Sequence, residues 1–444
     1  MLVLAGTGPF IVSITIPEGW TWLGSGIEKS EGEVVPEGNV ETTSFSESTP
    51  QDAPLPDTAS VAIQGIGVSD EQVVFGQSAA FSGPAQELGQ GMQRGIQAAF
   101  HEVNRRGGVH GRQLKLISLD DAYEPEAAIE NTVRLIEEEK VFALIGAVGT
   151  PTSRSAVPVA ADANIPYIAP FTGAAFLRDT TWHNIINLRA SYDQETEEMV
   201  ARLTEDLDIE RISILYQDDS FGRAGYLGAR QALEKRGMEP ASIGLYTRNT
   251  LAVKTALLDL RQGDPEAVIL VGAYQPVAAL ISWARHTGLN PVFITISFVG
   301  SNALARELGE EGDGVFVTQV VPFPMDQTLP VVAAYQRALS AYAPEEVPGF
   351  VSFEGYLAGR LAAAGLERCA RDVTRNCFID SLQQTGSADI DINGFKLRYG
   401  KHDNQGSDTV FLTMIGEDGR YYPVNSLMDT DRLWKQLPVL WPMN

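Results

Sequence analysis

Cysteine is nearly missing from this chain of 444 residues, which has two, Cys369 and Cys377. That excludes a disulfide-dense scaffold, and with five scattered histidines it leaves no Cys/His set spaced for zinc. The two cysteines lie eight positions apart, outside any C-x-x-C pattern. Such a pair fits one small disulfide loop in an oxidising compartment, with two free thiols near a helix end as the plainer alternative. Basic residues are also scarce. The formal net charge of -24 repels phosphate backbones and anionic headgroups, so no nucleic-acid or membrane-surface partner is expected. No apolar run reaches the eighteen or so residues needed to span a bilayer.

Motifs of catalysis and cofactor binding are absent as well. There is no G-x-S-x-G elbow, no H-E-x-x-H and no reactive-cysteine signature. No G-x-G-x-x-G is followed by an acidic residue some twenty positions on, and no GK[ST] ends a glycine loop, so nucleotide binding is disfavoured and no cofactor is expected. His101 and His286 fall in helix patterns, His110 and His402 in loops, and His183 follows Trp182; each reads as a surface or structural histidine. The pair Asp120-Asp121 ends a strand, where adjacent side chains point to opposite faces. A loop-capping role suits it better than shared acid–base work, and the chain is expected not to be an enzyme.

What the chain does have begins with an apolar segment, MLVLAGTGPFIVSITI, which lacks a basic region before Lys29 and a nearby small-residue cleavage site. Residues 29–60 are rich in Glu, Ser, Thr and Pro, too polar to fold, and read as a disordered linker that would tether the body near a membrane. From Val73 onward, short apolar strands such as VFALIG and AVILVGA alternate with amphipathic helices. That rhythm predicts an α/β fold of two doubly wound parallel-sheet lobes. The expected division is 1–60 for the N-terminal segment and linker, 61–188 for lobe one and 189–321 for lobe two. A return to lobe one over 322–386 then precedes 387–444, which completes lobe two and ends in a tail. A hairpin is expected in TVFLTMIGEDGRYYPV, turning at Glu417 to Gly419.

In open parallel sheets ligands gather beyond the carboxyl ends of strands. Five strand-to-helix loops stand out: FSGPAQELGQG (81–91), GAVGTPTS (146–153), APFTGAAF (169–176), YQDDSFGRAG (216–225) and GAYQPVA (272–278). Thr150 and Thr152 offer hydroxyls there, and the N–H groups of the following helix turn suit a carboxylate or carbonyl. A capped helix start with no ligand is the plainer reading of GAVGTPTS.

The stretch from VVFGQSAAFSGP through N-x-x-G-G-V-x-G-R to the strand-end DD resembles the periplasmic leucine/isoleucine/valine-binding protein family. RLIEEEK before VFALIGAVGTPTS, then NIPYIAPFTG, YQDDSFGRAG and GAYQPVAAL, continue the resemblance over roughly residues 68 to 430. It implies a type I periplasmic binding fold, with two lobes joined by three hinge strands. It also implies a ligand in the interlobe cleft, a monomer in the periplasm, and the membrane permease of an ABC transporter as partner. Carried over, Thr150 is the anchoring hydroxyl of the first lobe, and the backbone around Phe171 and Gly173 faces the ligand with Thr172 beside it. Phe221 and Tyr274 of the second lobe cover the ligand on closure, and Leu88 lines the rim.

The departures from the family pattern concern the ligand. Amino-acid binders commonly place a carboxylate for the ligand ammonium where this chain has Ser297; Asp219 or Glu195 are the candidates to replace it. Leu88 and Phe221 stand at positions that are often Tyr, and Gly173 where a ligand-binding Thr is common. Leu88, Phe171, Phe221, Tyr274 and Phe298 would make an aromatic-walled cleft, although Phe298 reads equally well as core. The expected ligand is therefore more apolar than a free amino acid: an acid, an amide or a lipophilic compound. A branched-chain amino acid binder and a ligand-sensing domain reporting to a membrane receptor are the alternatives.

Overall fold

The computed structural model describes residues 20–23, 26–29, 65–383 and 389–429. The apolar segment over 1–16, the linker from 30 to 60 and the tail from 430 lie outside the described residues. Strands β1 (Trp20–Leu23) and β2 (Gly26–Lys29) pair antiparallel in a unit of their own, Met1–Val61.

The body opens with β3 (Gln72–Ala79), α1 (Gln86–Arg105), β4 (Gln113–Asp120), α2 (Pro125–Glu137) and β5 (Ala143–Ile145). Next come α3 (Thr150–Asp162), β6 (Tyr167–Ile168) and β7 (Ile185–Ile186). These five strands form one all-parallel sheet in the order β4-β3-β5-β6-β7. Full burial of β5 on both faces explains its unbroken apolar sequence.

The chain then crosses to a second sheet. It is built from α4 (Tyr192–Leu207), β8 (Ile212–Gln217), α5 (Ser220–Glu234), β9 (Ile243–Tyr246), α6 (Lys254–Gln262) and β10 (Ala267–Val271). It continues through α7 (Tyr274–His286), β11 (Val292–Thr295), α8 (Ser301–Leu308) and β12 (Phe316–Gln319). A second crossing returns α9 (Pro330–Tyr342), α10 (Phe350–Arg368) and α11 (Arg375–Gln383) to the first lobe. There α10 crosses α1 nearly backbone to backbone. A Cβ on Gly95 would stand 2.0 Å from the Ser352 carbonyl oxygen, so glycine is required by space.

Cys369, at the end of α10, is bonded to Cys377 in α11 with their Cα atoms 5.8 Å apart. Strands β13 (Ile390–Ile392) and β14 (Phe395–Leu397) pair with each other, and β13 packs on α10. The main chain of Asn187 donates to the Asn404 carbonyl at 2.8 Å and accepts from Gly406 N at 2.9 Å. Residues 389–406 therefore stay with the first lobe, and the last crossing falls later than position 387, where the strand pattern placed it. Only β15 (Phe411–Ile415) and β16 (Tyr421–Val424), the expected hairpin, complete the second sheet, ordered β16-β15-β12-β11-β10-β8-β9.

One arginine ties the first crossing to the last. Arg178 Nε donates to Gln405 Oε1 at 2.9 Å, and Nη1 to the Thr172 and Ala174 carbonyls at 3.1 Å each. Its Nη2 donates to the carbonyls of Arg189 at 2.9 Å and Ala190 at 3.4 Å. Every nitrogen of the guanidinium thus works on hinge or hinge-proximal groups, which makes Arg178 a structural clamp.

Candidate ligand-binding cleft

Strand order reverses direction at β3 and again at β8, so each sheet opens a crevice beyond its carboxyl ends. The five loops singled out above all leave from those ends, and carboxylates shape two of them, 81–91 and 216–225. Asp120 Oδ1 accepts from the backbone N–H of Phe81 at 2.8 Å and Ala122 at 2.9 Å, while buried Asp121 accepts from Ser78 Oγ at 2.7 Å and Tyr123 N at 2.9 Å. The pair caps loops, on opposite sides. Burial pushes the Asp121 carboxyl up to about 6. Together they hold Ala122 and Tyr123 at φ of 48° and 64°, a conformation that costs non-glycine residues about 1–2 kcal/mol each. That turn sends the Tyr123 ring into the cleft. Asp219 does similar work in the second lobe, capping α5 through Phe221 N at 2.9 Å and Gly222 N at 3.1 Å.

Thr150 opens α3, and its hydroxyl lies 2.7 Å from that of Thr172; both side chains are buried. Thr152 is turned elsewhere. Its hydroxyl donates to the Gly149 carbonyl at 3.1 Å and to that of Val148, and it lines an interior cavity with Ser78, Asp121 and Tyr167. The i−4 carbonyl takes the Thr152 hydroxyl that was expected to face the ligand.

Between the lobes the aromatic rings meet. Phe298 is the hub, with ring centroids 5.4 Å from Phe171, 4.4 Å from Phe221 and 6.1 Å from Tyr123. Tyr192 joins through Phe221 at 5.6 Å. All five rings are buried, and they come from both lobes, so Phe298 belongs to the cleft as well as to the core. Toward the mouth, Leu88 of α1 approaches Gly300 of the second lobe, beside Tyr274. Glu87 pairs with Arg306 at 3.0 Å across the same rim, next to a cavity of about 210 Å³ that Leu88 and Gly300 also line. Gly173 backs onto α4: a Cβ there would sit 2.5 Å from Tyr192 Cδ1 and 2.7 Å from Tyr192 N. A threonine at 173 has no room here, which accounts for that departure.

Ser297 is met by a carboxylate after all. Glu195 Oε1 accepts from Ser297 Oγ at 2.9 Å and Arg189 Nη2 at 3.0 Å; Oε2 accepts from Ser297 N at 2.8 Å and Thr318 Oγ1 at 2.6 Å. A carboxylate has about four acceptor sites, and these four donors fill them. Glu195 reaches the expected place with no lone pair left for a ligand ammonium.

Arg189, in the first crossing segment after β7, is the residue that motif reasoning missed. It is fully buried, with its guanidinium carbon 5.0 Å from the Phe171 ring centroid and 5.9 Å from that of Tyr192. Nη2 also donates to Ser297 Oγ, but Nε and Nη1 make no hydrogen bond among the described residues. A buried donor left unmade costs about 1–3 kcal/mol, so the residue calls for an explanation. The acidic group nearest Nη1 is Glu354 Oε2 of α10, at 3.6 Å. Burial, with Glu195 adding repulsion, pushes the Glu354 carboxyl up to about 7 against the pull of Arg189 and Arg178. Two lobes, three crossings and a polar floor beneath an aromatic cleft are now in place.

Residues 72–420 match the model of a family described as periplasmic binding protein. The chain belongs to that family. Among curated family members, an amino acid binding protein of Pseudomonas aeruginosa is 23% identical over 237 residues, 53% of this chain and 63% of the relative. A Leu/Ile/Val-binding protein homolog of Brucella suis is 26% identical over 239 residues, 52% of this chain and 59% of that protein. The chain thus spans about three fifths of the length of these relatives. A solved structure of a possible leucine/isoleucine/valine-binding protein from Rhodopirellula baltica is 38% identical, with a TM-score of 0.77 over 83% of this chain and all of the other. A fatty acid ABC transporter substrate-binding protein from Thermomonospora curvata shares the fold at 21% identity, with a TM-score of 0.73 over 82% of this chain and 94% of that one. The type I periplasmic binding fold is the architecture of this chain.

Proposed function

We propose that this protein is the solute-binding component of an ABC-type uptake system, working outside the cytoplasmic membrane as a monomer. It captures a small ligand in the interlobe cleft by hinge closure and presents the closed form to a membrane permease. It carries out no chemistry on the ligand and takes no cofactor. Family membership and the two-lobed fold support the role; what supports the ligand class is the floor of the cleft.

Glu195 is saturated by four donors, so an incoming ammonium would be buried without a partner, at a cost of several kcal/mol. The walls are Phe171, Phe221 and Phe298, with Leu88 and Tyr274 at the mouth and the Thr150–Thr172 hydroxyl pair as a polar anchor. The ligand is an acid, an amide or a lipophilic compound without an ammonium group. A calorimetric and thermal-shift panel tests this, alongside mass spectrometry of whatever co-purifies with the protein. Micromolar binding of leucine, isoleucine or valine, with no response to aromatic acids, amides or lipophilic compounds, would return the protein to the branched-chain amino acid binders.

A further inference from the structure

Arg178 and Arg189 lie on the same hinge, and their contrast carries an inference about the ligand. All three nitrogens of Arg178 are spent on hinge or hinge-proximal groups. Arg189, fully buried beneath Phe171, uses only Nη2, on Glu195 and Ser297; among the described residues Nε and Nη1 have no acceptor. Of a guanidinium's five N–H groups, three are therefore free to donate to an anion, one on Nε and two on Nη1. Glu354 stands 3.6 Å from Nη1, beyond hydrogen-bonding distance, and faces the same guanidinium from the first lobe.

We propose that the cleft selects ligands by a carboxylate that seats on Arg189, and that Glu354 takes up one solvent proton when it does. This rests on the reading of the cleft as a solute site and names the ligand class within it: an apolar acid, bound as its anion. The charges around Arg189 explain the proton. Arg189 and Arg178 are balanced by Glu195 and Glu354, so a ligand carboxylate brings an excess negative charge into a buried cluster. Glu195 already accepts from four donors. Glu354, with no hydrogen bond to its charged form and a carboxyl pushed up to about 7, is the group that yields by protonating. One ligand anion and one proton enter together, and the net charge of the cluster is unchanged.

The test is calorimetry on the full chain with phenylacetate, octanoate, their primary amides and phenylalanine. Titrations at pH 6 and pH 8, in buffers of different ionisation enthalpy, count the protons. The carboxylates should bind at least tenfold tighter than the amides and phenylalanine. They should weaken by about tenfold per unit as pH rises above 7, with about one proton taken up at pH 8. E354Q should bind the carboxylates with no proton uptake and a flat pH dependence, and R189K should lose the preference for acid over amide. Equal binding of acid and amide, preference for phenylalanine, or proton uptake that survives in E354Q overturns the assignment of Arg189 and Glu354. Any of those results, if the binding is abolished by F298A, leaves the solute-binding reading intact. No response to any of these probes removes both.

Discussion

Glu124 of the first lobe meets Arg248 of the second at 2.5 Å, and Asn249 donates to the same carboxylate at 2.7 Å. Like the Glu87–Arg306 pair, the contact joins the two lobes and forms only when they are together. Partly exposed ion pairs contribute at most about 1 kcal/mol, so this one tunes closure without driving it. R248A should raise the dissociation constant by about two- to fivefold, mostly through a faster off-rate, and the effect should shrink at high salt. Stopped-flow release measurements at two ionic strengths check this; an unchanged off-rate would mean that the pair is a bystander.

Two threonines in one helix turn should behave differently. The Thr150 hydroxyl has the Thr172 hydroxyl as its partner at the cleft, whereas that of Thr152 is tied to the carbonyls of Val148 and Gly149. T150A should weaken ligand binding by about five- to thirtyfold, in line with one lost hydrogen bond in a desolvated site, while the melting temperature moves little. T152A should leave affinity unchanged and lower stability by about 1 kcal/mol. Equal effects of the two substitutions on affinity would show that the α3 turn is oriented otherwise.

Phe298 shares rings with both lobes, so its packing is complete only in the closed form. A core phenylalanine cut to alanine costs about 3–5 kcal/mol. F298A should fall well short of that in the unliganded protein, where lobe opening already exposes part of the ring, and should lose ligand affinity at least tenfold. Denaturant titration with and without ligand separates the two quantities. A full core-sized loss without ligand would make Phe298 a structural residue.

At Gly173 the prediction is steric. An added Cβ meets the Tyr192 backbone nitrogen at 2.7 Å, and the Gly173 carbonyl is the acceptor of that same N–H at 2.8 Å. G173A should destabilise the protein by about 1–3 kcal/mol. Trimming the ring in a G173A/Y192A double variant should not restore it, because the clash with the backbone remains. Recovery in the double variant would place the conflict in the ring alone.

Much of this architecture was legible because buried parallel strands leave an unmistakable trace: β5 and β10 are apolar at every position, and helices intervene with regular spacing. Thr150, Phe171 and Phe221 lie on the loops at carboxyl ends of strands where the sequence put them. The floor of the cleft was not legible. Arg189 sits in a crossing segment with no motif of its own, and Glu354 lies inside α10, whose other inward residues read as ordinary helix core. Their encounter is produced by the return of the chain to the first lobe, which no local pattern encodes. Saturation of Glu195 was likewise hidden, since its donors come from the first crossing segment, the loop after β11 and strand β12.

Glu354 also makes a prediction about stability that needs no ligand. Its carboxyl is raised from the ordinary 4.5 to about 7 in the folded protein, chiefly by burial. Between those values the folded state binds more protons than the unfolded one, so stability is greatest at the acid end and falls as pH rises toward 7. A shift of that size corresponds to at most about 3 kcal/mol. E354Q carries the neutral form permanently and should not show this loss. Asp121, raised from 3.8 to about 6 by burial, slopes the same way in both proteins and cancels in the comparison. The variant should therefore match the parent near pH 5 and become the more stable of the two above pH 7. If instead Glu354 stabilised the fold chiefly as the ion-pair partner of Arg189, the substitution would destabilise, most strongly at high pH where the carboxylate is fully charged. Chemical denaturation of both proteins at pH 5 and pH 8 distinguishes the two by the sign of the difference alone.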